Sequence, residues 1–317
     1  MDICLLAIFF MGRYEDTICD LNPKAALTMF HSFSHHDGAL AVLKIWKHNL
    51  SKRAPVSNVI KHTRRGLIRS AFLRTLKLPE WLVDGSAFGE EGEELEYDHI
   101  MVRIVAIRQR VSILLDKISS ARCISNGLAS SAKDLNEEAR DIDRALRDWS
   151  SHFPSAWGHR RHTLFNSWQK KDCYSSTVYT YSSPAYSAVW NQYYANRMVV
   201  NNTRLKILKI IYPNPKNEQR SECLHNMEAM ANALASSIPY CLQRFDVTDI
   251  DSITLDPKRE IEPHMAYLTA WPLSIVSGLY ELDIEHKLWF KSQLALVGKA
   301  TGSGVLEFGA TDHWLEL

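Results

Sequence analysis

The hydrophobic positions of residues 183–212 recur with the period of an α-helix. Apolar residues lie three or four positions apart, or at sums of these spacings: Tyr186, Val189, Trp190, Tyr193, Val200, Leu208 and Ile211. Ser183 can accept a hydrogen bond at a helix start, and Pro184 suits the first helical position, where no N–H is needed. Pro213 and Pro215 end the pattern. The sequence therefore predicts a central helix of roughly eight turns on which other helices pack.

The same period recurs along most of the chain. It predicts helices over 3–20, 24–48, 56–78, 98–120, 128–149, 223–242, 265–280 and 284–297. A short link joins the two helices predicted at 98–120 and 128–149, which indicates an antiparallel hairpin. Alternating apolar and polar runs are scarce, which disfavours a β architecture. We therefore expect an all-α fold, a single helical domain over 1–317 with roughly eight to twelve packed helices around the long central helix.

Two segments interrupt the helical pattern. Residues 84–98 contain the run FGEEGEELE, which predicts a flexible acidic loop. Residues 150–182 are irregular and aromatic, which predicts a long loop that caps the core and could line a pocket. The acids after position 80 follow a basic stretch, and we expect the two blocks to neutralise each other. The alternative is a basic face for phosphate contacts, because Arg65 and Arg69 share a helix face.

Composition narrows the function classes without selecting one. The chain has 317 residues, and its formal net charge of +1 argues neither for nor against a nucleic-acid partner. Its six cysteines are scattered without a C-x-x-C pair, which indicates reduced thiols rather than a zinc site. The apolar run at 3–11 is too short to span a bilayer and lacks the features of a signal peptide. We interpret it as a core helix in a reading frame that begins inside a domain.

Candidate metal ligands are explained better as helix polar residues. His31 and His35 lie four positions apart, which is a spacing that suits a metal ion, but no third ligand is evident. Three aspartates could hold Mg²⁺, yet arginines are interleaved with them, as in a salt-bridged helix surface: Asp141, Asp143 and Asp148 with Arg140, Arg144 and Arg147. The sequence therefore predicts no metal and no cofactor.

Catalytic motifs are equally weak. The run Gly302-Ser303-Gly304 follows a predicted helix and lacks the strand–turn–helix context of a nucleophilic serine. The chain has no Gly-rich phosphate loop with lysine and no H-E-x-x-H motif. We expect a protein that is not an enzyme, while an all-α enzyme with a site of dispersed residues stays open.

The candidate binding residues lie on the central helix. Arg197 and Arg204 fall on its apolar stripe, where their stems could simply cover apolar surface while their charged ends reach water or a carboxylate. Alternatively, the two arginines face a cavity and an acidic ligand. Trp190 and Tyr193 lie on the same stripe, and the aromatic segment 150–182 could cover them. These four residues form the predicted ligand site.

Five segments, taken in order, carry a family resemblance: LLAIFFMGRYED at 5–16, FSHHDGALAVLKIW at 33–46, RRGLIRSAFLRTLKLPEWL at 64–82, AVWNQYYANRMVVNNTRLKIL at 188–208 and AWPLSIVSGLY at 270–280. As an ordered set they resemble the C-terminal regulatory domain of fungal zinc-cluster (Zn2Cys6) transcription factors. The fourth segment is similar to the Trp-Asn-x-Tyr-x-x-x-Arg helix of that family. The fifth is similar to its late Trp-Pro-Leu segment.

The resemblance implies an all-helical regulatory domain in the nucleus that controls transcription by RNA polymerase II. The expected partners of the domain are transcriptional coregulators or a zinc-cluster partner chain. A small-molecule effector is a further expected partner, and no association with a membrane is expected. The family reads DNA through a six-cysteine zinc cluster, and the cysteines of this chain lack that spacing. We therefore expect no direct specific DNA binding. The alternative is a stand-alone helical module for ligand binding or protein interaction that acts without DNA.

Overall fold

The chain folds mainly into α-helices. The structure is a computed structural model that describes residues 1–18, 33–49, 56–120, 125–164, 168–212, 217–249, 252–311 and 314–317. Within these ranges lie eleven α-helices and four short strands, so the all-α fold class is confirmed. By their contacts the residues group into two compact units, Met1–Trp149 with Lys206–Asn214, and Ser150–Leu205 with Pro215–Leu317. The single domain over 1–317 stays a prediction.

The described helices follow the predicted order along the chain. They are α1 (Asp2–Ile18), α2 (Phe33–Asn49), α3 (Asn58–Leu73), α4 (Glu80–Val83), α5 (Gly92–Ser120), α6 (Asn126–Ser151), α7 (Pro184–Ile211), α8 (Glu218–Cys241), α9 (Pro263–Val276), α10 (Ile284–Thr301) and α11 (Gly304–Glu307). The long central helix is α7, and its start at Pro184 agrees with the predicted capping. The beginning of the helix predicted at 24–48, including His31, lies outside the described residues.

Ion pairs join α3 and α5 in the first unit. Arg64 donates from Nη1 and Nη2 to the two carboxylate oxygens of Asp98, at 2.5 and 2.9 Å. Lys61 and Arg65 both donate to Glu94, at 3.0 and 2.8 Å. The expected neutralisation between the basic and acidic blocks is therefore confirmed. Because carboxylates already occupy the Arg65 guanidinium, this arrangement does not favour a phosphate-binding face.

The predicted acidic loop over 84–98 is wrong for its second half. Helix α5 begins at Gly92 and carries Glu93 and Glu94 in its first turn. Negative side chains at a helix start are stabilised by the partial positive charge of the unpaired N–H groups. The run of acids is therefore an N-terminal helical turn rather than a break in the helix.

The antiparallel hairpin of α5 and α6 is confirmed. Tyr97, near the start of α5, stacks on Trp149, near the end of α6, with ring centroids 4.8 Å apart. Further along, Arg110 Nη1 donates to Glu138 at 2.5 Å. On the outer face of α6, Arg144 donates to Asp141 at 2.9 Å, as expected for a salt-bridged helix surface.

The segment 150–182 in the second unit is more regular than predicted. Strand β1 (His159–Thr163) pairs antiparallel with β2 (Thr177–Tyr181), with His159 opposite Tyr181. A second hairpin joins β3 (Phe245–Asp249) to β4 (Ser252–Leu255). Four buried side chains connect the two hairpins: Leu164, Cys173, Val178 and Phe245. The expectation of an irregular loop over 150–182 is therefore wrong at the two strands, where long-range pairing organises the backbone.

The end of the chain packs into the second unit. Leu317 N–H donates to the carbonyl of Gly278, at 2.7 Å, just after α9. The Asn202 side chain on α7 donates to Leu317 O at 3.1 Å and accepts from Glu281 N–H at 3.1 Å. Asn202 thus holds two segments that are distant in sequence against α7.

Candidate functional site

Helix α7 buries many polar side chains among its apolar ones. In its part within the second unit, eight polar residues are almost inaccessible to solvent: Ser187, Asn191, Asn196, Arg197, Asn201, Asn202, Thr203 and Arg204. Such side chains are mostly exposed in proteins, and burying them is costly unless they are hydrogen-bonded. This polar interior is the feature from which we build the candidate site.

Trp190 belongs to an aromatic cluster at the beginning of α7. Its Nε1–H donates to the carbonyl of Trp157 at 2.8 Å. Phe153 and Tyr193 both meet the Trp190 ring edge to face, with centroids 5.2 and 5.5 Å away. Trp157 in turn stacks on Tyr186. The segment 150–182 therefore covers this end of α7, as predicted, through close aromatic packing.

Beyond the aromatic cluster, side chains of α7 and α8 meet in an antiparallel row. Arg197 Nη1 lies 3.7 Å from Met230 Sδ, and Asn226 Nδ2 donates to Asn201 Oδ1 at 3.4 Å. Arg204 Nη2 then contacts Glu222 Oε2 at 3.4 Å. The α8 positions descend in steps of four as the α7 positions ascend by four and three, which is the spacing of facing helix turns. We call these six residues the α7–α8 seam.

Arg197 is held at the aromatic end of the seam. Its Nη1 donates to the hydroxyl of Tyr193 at 3.2 Å, and its guanidinium lies 5.7 Å from the centre of that ring. Arg197 is 6 % exposed. These contacts with Tyr193 favour the structural interpretation of this arginine over a ligand contact.

The guanidinium of Arg204 has fewer hydrogen-bond partners. It is 0 % exposed, and its Nε and Nη1 atoms have no hydrogen-bond partner among the described residues. Within the described part of the chain its acidic contact is Glu222, whose side chain is 51 % exposed, and this contact is long, at 3.4 Å. A guanidinium in this state retains donors that can bind the oxygens of a carboxylate or a phosphate.

The structure brings three of the four predicted ligand residues together. Trp190, Tyr193 and Arg197 are in contact along about two turns of α7. Arg204 lies two turns further on, which is roughly 10 Å along the helix axis. The predicted ligand site thus divides into a packed aromatic part and a separate buried guanidinium, and its binding role stays a prediction.

Sequence reasoning missed the partners on α8. Glu222, Asn226 and Met230 follow one another at steps of four, so their common helix face was visible in the sequence. Their pairing with α7 was not visible, because a helical pattern does not give the angle and register at which two consecutive helices meet. The run of asparagines within the apolar stripe of α7 was the available signal for a polar interior.

A second polar cluster surrounds His286 at the start of α10. Asp283 caps the helix by accepting from His286 N–H at 3.0 Å, and its Oδ2 lies 2.6 Å from His286 Nδ1. Nε2 of the same ring lies 3.1 Å from Asn232 Oδ1, and Tyr174 stacks on the ring at 4.1 Å. Burial alone would raise the pKa of Asp283, but the hydrogen bonds from His286 outweigh it and lower that pKa. Since both ring nitrogens are engaged, the cluster fastens α10 in place.

Comparisons with known proteins do not identify the chain. No family model matches it, and neither a curated protein nor a solved structure matches it. In the part of the chain that the structure describes, no helix is both long and apolar enough to cross a bilayer. The functional argument therefore rests on the residues and their geometry.

Proposed function

We propose that this chain is the regulatory or effector domain of a fungal zinc-cluster-type transcription factor. In this role it controls transcription by RNA polymerase II in the nucleus, through coregulators or a zinc-cluster partner chain. It has no DNA-binding motif of its own among its cysteines. The alternative is a stand-alone helical module for ligand binding or protein interaction.

One observation carries the proposal: the five resembling segments occupy helices in the order of the resemblance. The segments at 5–16 and 33–46 lie within α1 and α2, and the segment at 64–82 runs from α3 to α4. The segments at 188–208 and 270–280 lie in α7 and at the end of α9. Two fully buried arginines, Arg64 and Arg204, are in these segments. This placement supports the resemblance, because the five segments of this chain lie mostly in its helices, as an all-helical regulatory domain requires.

The α7–α8 seam supports a regulatory role for that frame. An effector with a carboxylate or phosphate would satisfy the donors that Arg204 leaves unpaired, and it would compete with the long contact to Glu222. A ligand shifts a conformational equilibrium only by its differential affinity for the two states. Because Arg204 is 0 % exposed, an anion would bind it only in an arrangement in which α7 and α8 leave it room, and that differential affinity is the coupling we propose.

The test is to tether the full chain to an unrelated DNA-binding domain and measure a reporter gene in a fungal nucleus. We expect reporter output to change at least about fivefold relative to the DNA-binding domain alone, which is the lower end of typical coupling between two sites. Arg204→Met should reduce that change while the fusion stays equally abundant. Arg140→Met is the matched control, because Arg140 lies on the exposed face of α6 and pairs with Glu137. An output equal to that of the DNA-binding domain alone would refute the proposal.

The unpaired donors of Arg204 are also the observation that favours the alternative module. A stand-alone sensor would bind small carboxylates or phosphates with no dependence on tethering. Thermal unfolding of the untethered chain in the presence of such anions measures this binding. A midpoint rise that Arg204→Met abolishes, together with a silent reporter, would select the module over the transcriptional role.

A further inference from the structure

Strand β1 is an edge strand whose outer side is open in the described part of the chain. It pairs with β2, and among the described helices and strands only β2 makes extensive contact with it. Arg160, Arg161 and Thr163 are exposed to solvent. An edge strand presents a row of unpaired backbone N–H and C=O groups to which a further strand can bind. Which residues of β1 carry those groups follows from the hydrogen bonds around the hairpin.

Alternate residues of β1 direct their backbone groups away from β2. Leu164, just after β1, donates its N–H to the carbonyl of Ser176 at 2.7 Å, so the even-numbered positions of β1 are those that bond to β2. The outward groups are therefore the N–H and C=O of His159, Arg161 and Thr163. In the described part of the chain, these outward backbone groups have no hydrogen-bond partner.

The opposite edge of the hairpin is capped at both ends by side chains. On β2, outward groups belong to Thr177 and Tyr181, which lie opposite two of the outward residues of β1. Thr177 N–H donates to Ser175 Oγ at 3.2 Å, and Tyr181 O accepts from the Tyr240 hydroxyl at 3.0 Å. These two bonds agree with the alternation assigned to β1. They also leave β1 as the more open edge of the hairpin.

The charges along β1 determine which kind of strand fits this edge. Arg160 and Arg161 have no carboxylate partner among the described residues, and Arg161 Nη2 donates to Thr177 Oγ1 at 3.3 Å. Successive side chains point to opposite faces of a strand, so the two guanidiniums leave β1 on opposite faces. A second copy of β1 paired across Arg161 would set arginine against arginine, which is unfavourable. A strand with two adjacent acidic residues would instead present one carboxylate on each face.

We propose that the outer edge of β1 binds an extended acidic segment of a partner protein by β-strand addition. His159, Arg161 and Thr163 offer their backbone groups to the added strand, and such main-chain hydrogen bonds supply affinity. Adjacent carboxylates level with Arg160 and Arg161 supply the selectivity, since opposite charges across neighbouring strands attract each other. This inference is independent of the transcriptional role.

The first experiment tests the charges by fluorescence anisotropy of a labelled short peptide titrated with the full chain. The probe has two adjacent glutamates between β-branched residues, and the matched peptide has two glutamines in their place. We expect the glutamate peptide to bind at least about threefold more tightly than the glutamine peptide. No binding of the glutamate peptide at up to about 1 mM would overturn the proposal, as would equal binding of the two peptides.

A pair of arginine variants locates that preference on β1. Arg160→Gln combined with Arg161→Gln should reduce the difference between the two peptides to less than about twofold. The matched control is Arg140→Gln combined with Arg144→Gln, because both arginines pair with acids on the exposed face of α6. The control should leave the difference unchanged. Equal effects of the two double variants would overturn the assignment to β1.

The second experiment separates strand pairing from a simple attraction of charges. Thr163→Pro removes an outward N–H and keeps both arginines, and proline is tolerated where the N–H of an edge strand faces solvent. It should weaken binding of the glutamate peptide at least about fivefold, while Thr163→Val, which keeps the N–H, should bind as the wild type does. Equal binding by these two variants would overturn strand addition.

Modified peptides test the same hydrogen bonds without changing the protein. Glutamate peptides N-methylated at one or the other alternate set of residues should differ in affinity at least about fivefold, because only one set directs its N–H groups to β1. Equal binding of the two methylated peptides would overturn strand addition. A single-stranded oligonucleotide that binds this edge more tightly than the glutamate peptide would overturn the acidic peptide as the occupant.

Discussion

Two buried arginines provide a matched test of what a guanidinium contributes to stability here. Arg64 and Arg204 are both 0 % exposed. Arg64 donates four hydrogen bonds, two to Asp98 and two to the backbone carbonyls of Leu82 and Val83 in α4. Arg204 makes one long contact with the half-exposed Glu222. Replacing each by Met keeps an aliphatic stem of similar length and removes only the charged end.

The expected costs differ because the partners differ. Arg64→Met leaves the Asp98 carboxylate, itself 5 % exposed, buried without its counter-charge. Breaking such a pair destabilises by about 3–5 kcal/mol. Arg204→Met loses a contact of the surface type, worth about 0–1 kcal/mol, and removes a charge whose burial is poorly compensated. We therefore expect Arg204→Met to lie between a loss of about 1 kcal/mol and a small gain in stability.

Urea unfolding followed by circular dichroism measures both changes. With a urea dependence of about 2 kcal/mol per molar, Arg64→Met should lower a midpoint by about 1.5–2.5 M, and Arg204→Met by at most about 0.5 M. The two arginines belong to different compact units, so each transition is analysed separately if unfolding shows two. A loss of more than about 2 kcal/mol for Arg204→Met would refute the reasoning, because an unsatisfied guanidinium cannot be worth that much.

Three further predictions concern the burial of His159 and the space around Gly278 and Gly66. Burial lowers the pKa of His159 below its usual 6.5, so the unfolded chain binds that proton more tightly. The contribution of His159 to the stability of the fold should then be intact above pH 6.5 and fall as the pH drops below it. His159→Gln should therefore reduce the difference between the urea midpoints measured at neutral pH and near pH 5.5. Gly278→Ala should destabilise by about 1–3 kcal/mol, because an added Cβ would meet the backbone carbonyl of Leu315. Gly66→Ala, in the middle of α3 with nothing within 4 Å of an added Cβ, should stabilise by about 0.5–1 kcal/mol in the same unfolding assay.

Local patterns predicted the long helices well. Residues 183–212 became α7 (Pro184–Ile211), because the capping Ser183, an initial proline and a terminal proline all act within a few residues. The same holds for α6, which extends the predicted 128–149 by two residues at each end. Periodicity and caps are local, so they can be read without knowing the tertiary structure.

Long-range pairing explains what the sequence did not reveal. Strand β2 (Thr177–Tyr181) is rich in β-branched and aromatic residues, but its partner β1 (His159–Thr163) is polar, and 13 residues separate the two. Neither strand has an alternating pattern that identifies it alone. The site shows the same limit. The sequence placed Arg204 on the correct face of α7, but the lack of partners around it is a property of the packed helices.

The weak stabilisation expected from Arg204 is what makes it informative about function. A residue that stabilises the fold cannot be tested for regulation by mutation, because loss of output and loss of structure coincide, as they would for Arg64. Arg204→Met should leave the fold intact, so a change in reporter output would report the chemistry of its unpaired donors. An anion bound at 100 times its dissociation constant would stabilise the folded chain by about 2.7 kcal/mol, which is more than the substitution itself is expected to change. The same variant therefore separates a regulatory arginine from a structural one, provided that stability and reporter output are measured on the same protein.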